Sequence, residues 1–316
     1  MTENQHFYYT LNDFLKNKFG TKTVKLSLDG GFTCPNRDGK VSTKGCIFCS
    51  EKGSGDFAGE RNTDIAAQIK QQKELLSKKW PNAKYIAYFQ AFTSTYAPAE
   101  VLRKKYYEAL SCEGIVGLAI ATRADCIDEE IISLLKEISQ KAYVWVELGL
   151  QTSNEKTAEF INRGYGNDIF EKAVKMLNDA NIDVVVHLIE NLPNETKEDM
   201  INSVKYACSF KIAGIKIQML NILKGTALDE IYSKNPFPLF TMEEYTDLVC
   251  ELIEYIPPKV AIHRLTGDGP KDMLTEPKWV LNKRLVLNTI TKKMREKYKF
   301  MELKDLGVSP QTPKIF

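Results

Sequence analysis

An α/β architecture with parallel strands is predicted by two features of this sequence. Short apolar, β-branched runs recur through the first two thirds of the chain, and segments with helical spacing alternate with them. Continuous apolar runs suit strands covered on both faces, and strand–helix–strand units lay successive strands parallel through right-handed crossovers. An open sheet and a barrel both satisfy this pattern.

The strands are expected at 23–28, 84–89, 115–121, 143–149, 182–189 and 214–220. Between them, 64–79, 98–110, 128–140, 168–180 and 196–210 read as helices; Ile131, Ile132, Leu135 and Ile138 line one face of the third. Asp128 and Thr196 are expected N-caps, and Asp168 with Glu171 reads as a capping-box variant. After the sixth strand the pattern changes. Thr241 and Glu244 open a capping-box helix reaching Ile256, and Pro257 and Pro258 stop it. Residues 259–263 read as a further strand, 265–270 as a loop, and Pro277 as the start of a last helix reaching Tyr298. The reading divides the chain into an N-terminal segment (1–22), a strand–helix body (23–222) and a C-terminal extension (223–316) expected to carry substrate contacts.

At 316 residues the chain is long enough to bury a sizeable core as one α/β domain. Its net charge of +2, with 27% charged residues, is nearly neutral, so no overall field demands a nucleic acid, although local basic patches remain open. Seven cysteines without regular pairing, no basic-then-apolar leader and no apolar run approaching a membrane span read as a cytoplasmic protein with reduced thiols.

The chemistry is concentrated in the loop after the first strand. Gly30-Gly31-Phe32-Thr33-Cys34-Pro35-Asn36-Arg37-Asp38-Gly39 is followed by Cys46-Ile47-Phe48-Cys49. The local ligand supply stops at three cysteines: Cys112 and Cys126 lie more than sixty residues on, and His6 sits in an N-terminal tail. A structural zinc site is closed by four Cys or His ligands, and a ferredoxin cluster takes four cysteines. Three thiolates suit a [4Fe-4S] cluster whose fourth iron stays open for an outside ligand. S-adenosylmethionine (SAM) is the best-known such ligand, and its reductive cleavage yields a 5′-deoxyadenosyl radical.

These residues resemble the radical SAM proteins, in whose signature an aromatic residue precedes the last cysteine. Eleven residues separate Cys34 from Cys46, where the commonest pattern has three. That gap, the words GFTCPNRDG and GCIFC, and the later HRLTGDGPKDML are similar to the YtqA/YhcC-like branch, itself similar to the elongator catalytic subunit. The resemblance implies an incomplete (β/α)6 barrel with a C-terminal α/β extension. It also implies a [4Fe-4S] cluster on Cys34, Cys46 and Cys49, with SAM as cofactor, and a reducing electron donor such as flavodoxin or ferredoxin.

Further site residues are expected at the carboxyl ends of the strands, where ligands of parallel barrels gather. Phe48 is expected against the adenine. Gln90 and Thr93 fall where related enzymes receive the amino group of SAM, and Thr122 with Arg123 ends the third strand. Alternation puts Glu147, Gly149 and Gln151 on one face of the fourth strand, where a buried carboxylate and amide need partners. Arg163 lies twelve residues beyond Gln151. The same spacing in enzymes similar to coproporphyrinogen dehydrogenase puts both side chains on the cofactor, and a planar guanidinium suits the methionine carboxylate. His187 reads as a hydrogen-bonded core histidine. Asn191 and Asn194 stand where relatives carry glycine, and asparagine tolerates the left-handed backbone such a turn needs.

Arg264 and Asp268, in the string His263-Arg264-Leu265-Thr266-Gly267-Asp268, are expected at the substrate. Lys283-Arg284 and the run from Lys292 to Lys299 read equally as RNA phosphate contacts and as a solvated helix face. Resemblance to YtqA-like members implies a transfer RNA (tRNA) substrate, with a carboxymethylaminomethyl group on wobble uridine 34 converted to aminomethyl. Two alternatives stay open: a radical SAM enzyme acting on a small metabolite or porphyrin-like molecule, and a non-catalytic, zinc-stapled RNA-binding module.

Overall fold

The computed structural model describes residues 7–305 apart from 62 and 268, with side chains described to residue 298. The chain opens with α1 (Leu11–Phe19) and β1 (Thr23–Leu28). There follow α2 (Ile65–Ser77), β2 (Lys84–Phe89), α3 (Ala99–Ser111), β3 (Ile115–Thr122), α4 (Glu129–Ser139) and β4 (Tyr143–Gln151). Next come α5 (Glu155–Phe160), α6 (Asn167–Asp179), β5 (Asp183–Glu190), α7 (Lys197–Cys208), β6 (Gly214–Met219) and β7 (Ile222–Leu223). The chain continues with α8 (Ala227–Lys234), α9 (Met242–Glu254), β8 (Ala261–Arg264), β9 (Leu274–Glu276) and α10 (Lys283–Asp305).

Six parallel strands pair in chain order, and β8 adds a seventh beside β6. The sheet curls into a half-barrel with helices packed on its outside. The strand expected at 259–263 is this seventh member. β7 and β9 form a separate antiparallel pair that two- and three-residue stretches were too short to announce.

Local signals set most helix starts. Asp128 caps α4 by accepting from the Ile131 amide at 2.9 Å. Thr196 with Asp199 and Thr241 with Glu244 form full capping boxes on α7 and α9. The expected box of Asp168 with Glu171 is absent: α6 starts one residue earlier, with Gly166 at its N-cap and Asp168 inside the first turn. Its first amide, that of Asn167, donates instead to the Glu155 carboxylate of α5 at 2.6 Å. Pro277 does not open the last helix either. It leads into a 3₁₀ turn, Lys278–Leu281, and α10 starts after Asn282, whose side chain accepts from the Leu285 amide.

The N-terminal segment holds a structure that its sequence did not announce. Thr10 and Asp13 make a capping box on α1, and Gly20 ends the helix with φ of 72°. The segment bridges the open side of the half-barrel, between its edge strands: the Ile262 amide of β8 donates to the Tyr9 carbonyl, and α1 packs against β1 and β8. Leu15 packs with Ile86, Tyr88, Ala119, Trp145 and Val185, and Leu11, Phe14 and Phe19 join them. Burying Leu15 contributes roughly 1.5–3 kcal/mol. This cluster closes the interior below the site.

Candidate active site

The loop between β1 and α2 carries Cys34, Cys46 and Cys49, and neighbouring elements hold it from both sides. The Ile47 amide donates to Ile161 at 3.1 Å, and the Ile47 carbonyl accepts from the Leu228 amide at 2.9 Å. Asn36 Nδ2 donates to the Asn162 carbonyl at 2.7 Å and lies 3.5 Å from Cys46 Sγ. Asn162 returns a bond to the Gly45 carbonyl at 2.6 Å. The guanidinium of Arg37 holds the carbonyls of Cys49 and Ser50. Gly164 permits this clasp: a Cβ there would come within 2.9 Å of Val41 and 3.1 Å of Asn36 Oδ1, at φ of 80°.

Burial pushes the Cys46 thiol up to about 12, aided by Cys49 and opposed by Arg123 and the Asn36 amide. Burial raises Cys49 as well. Thiols in this setting bind metal only by giving up their protons to it. Among the described residues, no three His, Cys, Asp or Glu side chains gather to hold a single metal ion. A cluster asks for something different, since each cysteine binds its own iron.

All three cysteines line a cavity of about 470 Å³ that extends into the half-barrel. Phe48, Gln90, Thr93, Thr122, Glu147, Gln151, Arg163 and Arg264 line it too, so the structure brings eleven of the twelve expected site residues together. Asp268, the twelfth, lies outside the described residues.

Their roles differ. Gln151, at the end of β4, has φ of 68°, and the pairing with β5 shifts register there. Its Oε1 is buried without a partner among the described residues. Gly149 makes room for it, because a Cβ at that position would lie 2.6 Å from Gln151 Nε2. Gln90 donates to the Ser54 carbonyl at 2.9 Å, which ties the loop after β2 to the cysteine loop. Thr122 shares a 2.6 Å bond with Thr95. Asn191 and Asn194 hold the left-handed turn after β5, with φ of 65° and 68°.

Arg163 departs from expectation. It is 1% exposed and all its donors go to protein: Nε to Tyr165 O, Nη1 to the carbonyls of Leu150 and Thr152, Nη2 to Asn167 and Glu155. Instead of presenting a fork to a carboxylate, it staples the end of β4 to the α5–α6 turn. Arg163→Ala strands three carbonyls at about 1–3 kcal/mol each. We therefore expect it to lower unfolding stability by at least about 2 kcal/mol in a denaturant titration, and an unchanged midpoint would contradict the staple.

Glu147 also departs from its expected role as a cofactor contact. Oε1 accepts from Trp145 Nε1 at 3.0 Å and Lys25 Nζ at 3.3 Å; Oε2 faces His187 Nε2 at 3.0 Å and bonds Lys216 Nζ. Lys216 also donates to Tyr88 Oη at 3.1 Å, and Lys25 lies over the Tyr88 ring. Burial would raise the Glu147 carboxyl, but Lys216 and then Lys25 hold it well below its ordinary value. Burial and then Lys216 push His187 down to about 4, so it is neutral at pH 7. The sequence reading passed over Lys25, Tyr88 and Lys216. A usable signal was there: Lys25 and Lys216 sit mid-strand in Thr23–Leu28 and Gly214–Met219, and an ammonium group on a strand of a parallel sheet is costly unless partnered.

The model of the Radical SAM superfamily matches residues 36–207, and that of the Radical_SAM C-terminal domain matches 212–296. The chain belongs to the radical SAM superfamily. This superfamily binds a [4Fe-4S] cluster and SAM and needs a reductant, so the zinc-stapled reading is set aside. YtqA of Bacillus subtilis is 44% identical to this radical SAM enzyme over 290 residues, covering 92% of this chain and 90% of YtqA. YhcC of Escherichia coli is 36% identical over 270 residues, covering 85% and 86%. Elongator complex protein 3 of Saccharomyces cerevisiae is 28% identical over 173 residues, 54% of this chain and 30% of that protein. The solved archaeal Elp3 of Methanocaldococcus infernus superposes with a TM-score of 0.65 at 19% identity, covering 86% of this chain and 63% of that one; the likeness shows the fold.

The residues present fit both groups. Among the described residues, three cysteines and no fourth line the cavity, which leaves one iron open, and the buried Gln151 Oε1, without a partner there, offers a polar ligand an acceptor. Among the described residues, no helix is long and apolar enough to cross a membrane.

Proposed function

We propose that this radical SAM enzyme modifies tRNA at wobble uridine 34, converting a carboxymethylaminomethyl side arm to aminomethyl. The observation that carries the reading is that the family's C-terminal string and the three cysteines face one cavity. Arg264 lines the wall, Tyr245 Oη donates to the Leu265 carbonyl at 3.2 Å, and Gly267 packs against the wall residue Asn221. The string is thus fixed beside the radical source, as a substrate-recognising segment would be, and residues 223–316 act as the substrate-contacting extension. The distant similarity to elongator complex protein 3 agrees with this.

Cys34, Cys46 and Cys49 would hold the cluster. Phe48, Gln90, Thr93, Thr122 and Gln151 would hold SAM, with the Phe48 ring against adenine and Gln151 Oε1 as an acceptor. When bound and reduced, the pair supplies a 5′-deoxyadenosyl radical that takes hydrogen from the substrate. The chain's own part is to orient the side arm under that radical and to exclude water, with α1 sealing the interior below. A cytoplasmic setting with flavodoxin or ferredoxin as donor suits reduced thiols.

One observation favours the second reading, a small metabolite. Lys293, 17% exposed, pairs with Glu243 and Asp247 of α9, and Lys297 pairs with Glu254, so these two lysines of the run are held against α9 and not poised for phosphates. The test is anaerobic reconstitution, dithionite reduction and chromatography for 5′-deoxyadenosine, with and without tRNA lacking the final modification. Strong stimulation by the RNA is expected. Cleavage indifferent to RNA would transfer the activity to a small substrate.

A further inference from the structure

Two lysines that neither cluster nor SAM binding uses meet at the cavity floor. At mid-strand level, Lys25 of β1 and Lys216 of β6 converge on one carboxylate, that of Glu147. Among the described residues, each lysine pairs only with Glu147. The Lys216 side chain is 4% exposed and that of Glu147 0%. Two lysines against one carboxylate leave one amine short of a counter-charge, and burial draws both below their ordinary value, Lys216 well below it. Buried charge without compensation is expensive.

Among the described residues, no second carboxylate pairs with either lysine. His187 and His263 complete the ring around Glu147, and burial followed by a neighbouring lysine lowers both, so they carry no charge at neutral pH. Arg264 adds its own positive field to both lysines. Glu147 has no oxygen left to give, since both already accept. Lys216 has three donors, of which Glu147 and Tyr88 take two, and it lines the cavity. The floor therefore presents a remaining Lys216 N–H, on an amine whose protonated form an entering anion would favour.

We propose that Lys216, backed by Lys25 and positioned by Glu147, is the receptor for a carboxylate on the reacting arm of the substrate. A single carboxylate on Lys216 would supply the one counter-charge that the two lysines lack, with Lys25 behind it outside the cavity lining. Bound there, the arm would be anchored by its acidic end, with its C–H bonds held in the chamber that the three cysteines line. This rests on the tRNA reading for its source of carboxylate, a carboxymethylaminomethyl uridine. A free N-substituted glycine offers the same chemistry.

The experiment compares binding of two tRNAs to the reconstituted, SAM-loaded enzyme, one carrying the carboxymethylaminomethyl arm and one the aminomethyl arm. Wild type is expected to prefer the acidic arm by at least about tenfold. Lys216→Met should bring that ratio close to one while leaving the aminomethyl tRNA's affinity and the SAM affinity unchanged. Lys216→Arg should keep the preference, and Lys25→Met replaces Lys216→Met if the latter fails to fold. Equal wild-type affinity for the two arms overturns the proposal. So does a Lys216→Met variant that loses SAM affinity, which would assign the lysine to the cofactor. If neither tRNA binds but N-methylglycine binds in a Lys216-dependent manner, the tRNA reading fails and the carboxylate receptor stands.

Discussion

Replacing Cys34, Cys46 or Cys49 by Ala is expected to reduce SAM cleavage to background and to strip most of the iron from the anaerobically reconstituted protein. The physical reason is ligand count: two cysteines leave two irons of a four-iron cluster without protein ligands. The barrel should stay folded. The three side chains lie half-buried in a loop that is held by backbone bonds to Ile161 and Leu228, and they belong to no core cluster. Circular dichroism then separates loss of cofactor from loss of fold. Cys112→Ala and Cys126→Ala are the controls, since neither residue lines the cavity, although Cys126 stands near enough to Cys34 to feel its charge. Full iron and full cleavage in any of the three loop variants would remove that cysteine from the site.

Glu147→Gln is expected to have the largest effect on stability, about 3–5 kcal/mol, because it leaves two buried lysines without their counter-ion. The pH profile gives a sharper signature than the midpoint alone. Glu147 is held well below its ordinary 4.5 in the folded state, so its contribution is fully present above about pH 4.5 and is lost as pH falls below it. His187 works over a neighbouring window. Its folded value of about 4 lies below the ordinary 6.5, so this site binds more protons in the unfolded chain between those values and its contribution declines as pH drops from 6.5 to about 4, against an opposite contribution from Glu195, which burial raises to about 7. In urea titrations across pH 3 to 8, the stability gap between wild type and Glu147→Gln should be widest above about pH 4.5 and narrow below it. A variant as stable as wild type with an unaltered profile would mean that the lysines do not need this carboxylate.

Much of the fold was legible because its signals are local. Apolar runs placed six strands to within two residues at each end, and the N-cap at Thr196 and the box at Thr241 placed two helices. Where the reading slipped, a group remote from the expected one does the capping. Glu155 caps α6 from another helix, and Asn282 displaces Pro277 at the start of α10. α1 escaped notice because its partners, Tyr88, Trp145 and Val185, are contributed by strands far along the chain.

The site divides in the same way. The cysteine loop is a contiguous word, and ligand count is a property of composition and spacing, so the sequence by itself determined the chemistry class and the family. Alternation along β4 likewise put Glu147 and Gln151 on the interior face. What those two residues do was decided only when the sheet curled. Lys25 and Lys216 stand 191 positions apart in the chain and reach Glu147 only through the curvature of the barrel. Arg163 was withdrawn from the ligand by nearer neighbours, five partners between Leu150 and Asn167 that the local turn brings to it. A residue type announces what a side chain can bind; which neighbour claims it first depends on distances that only the folded sheet sets.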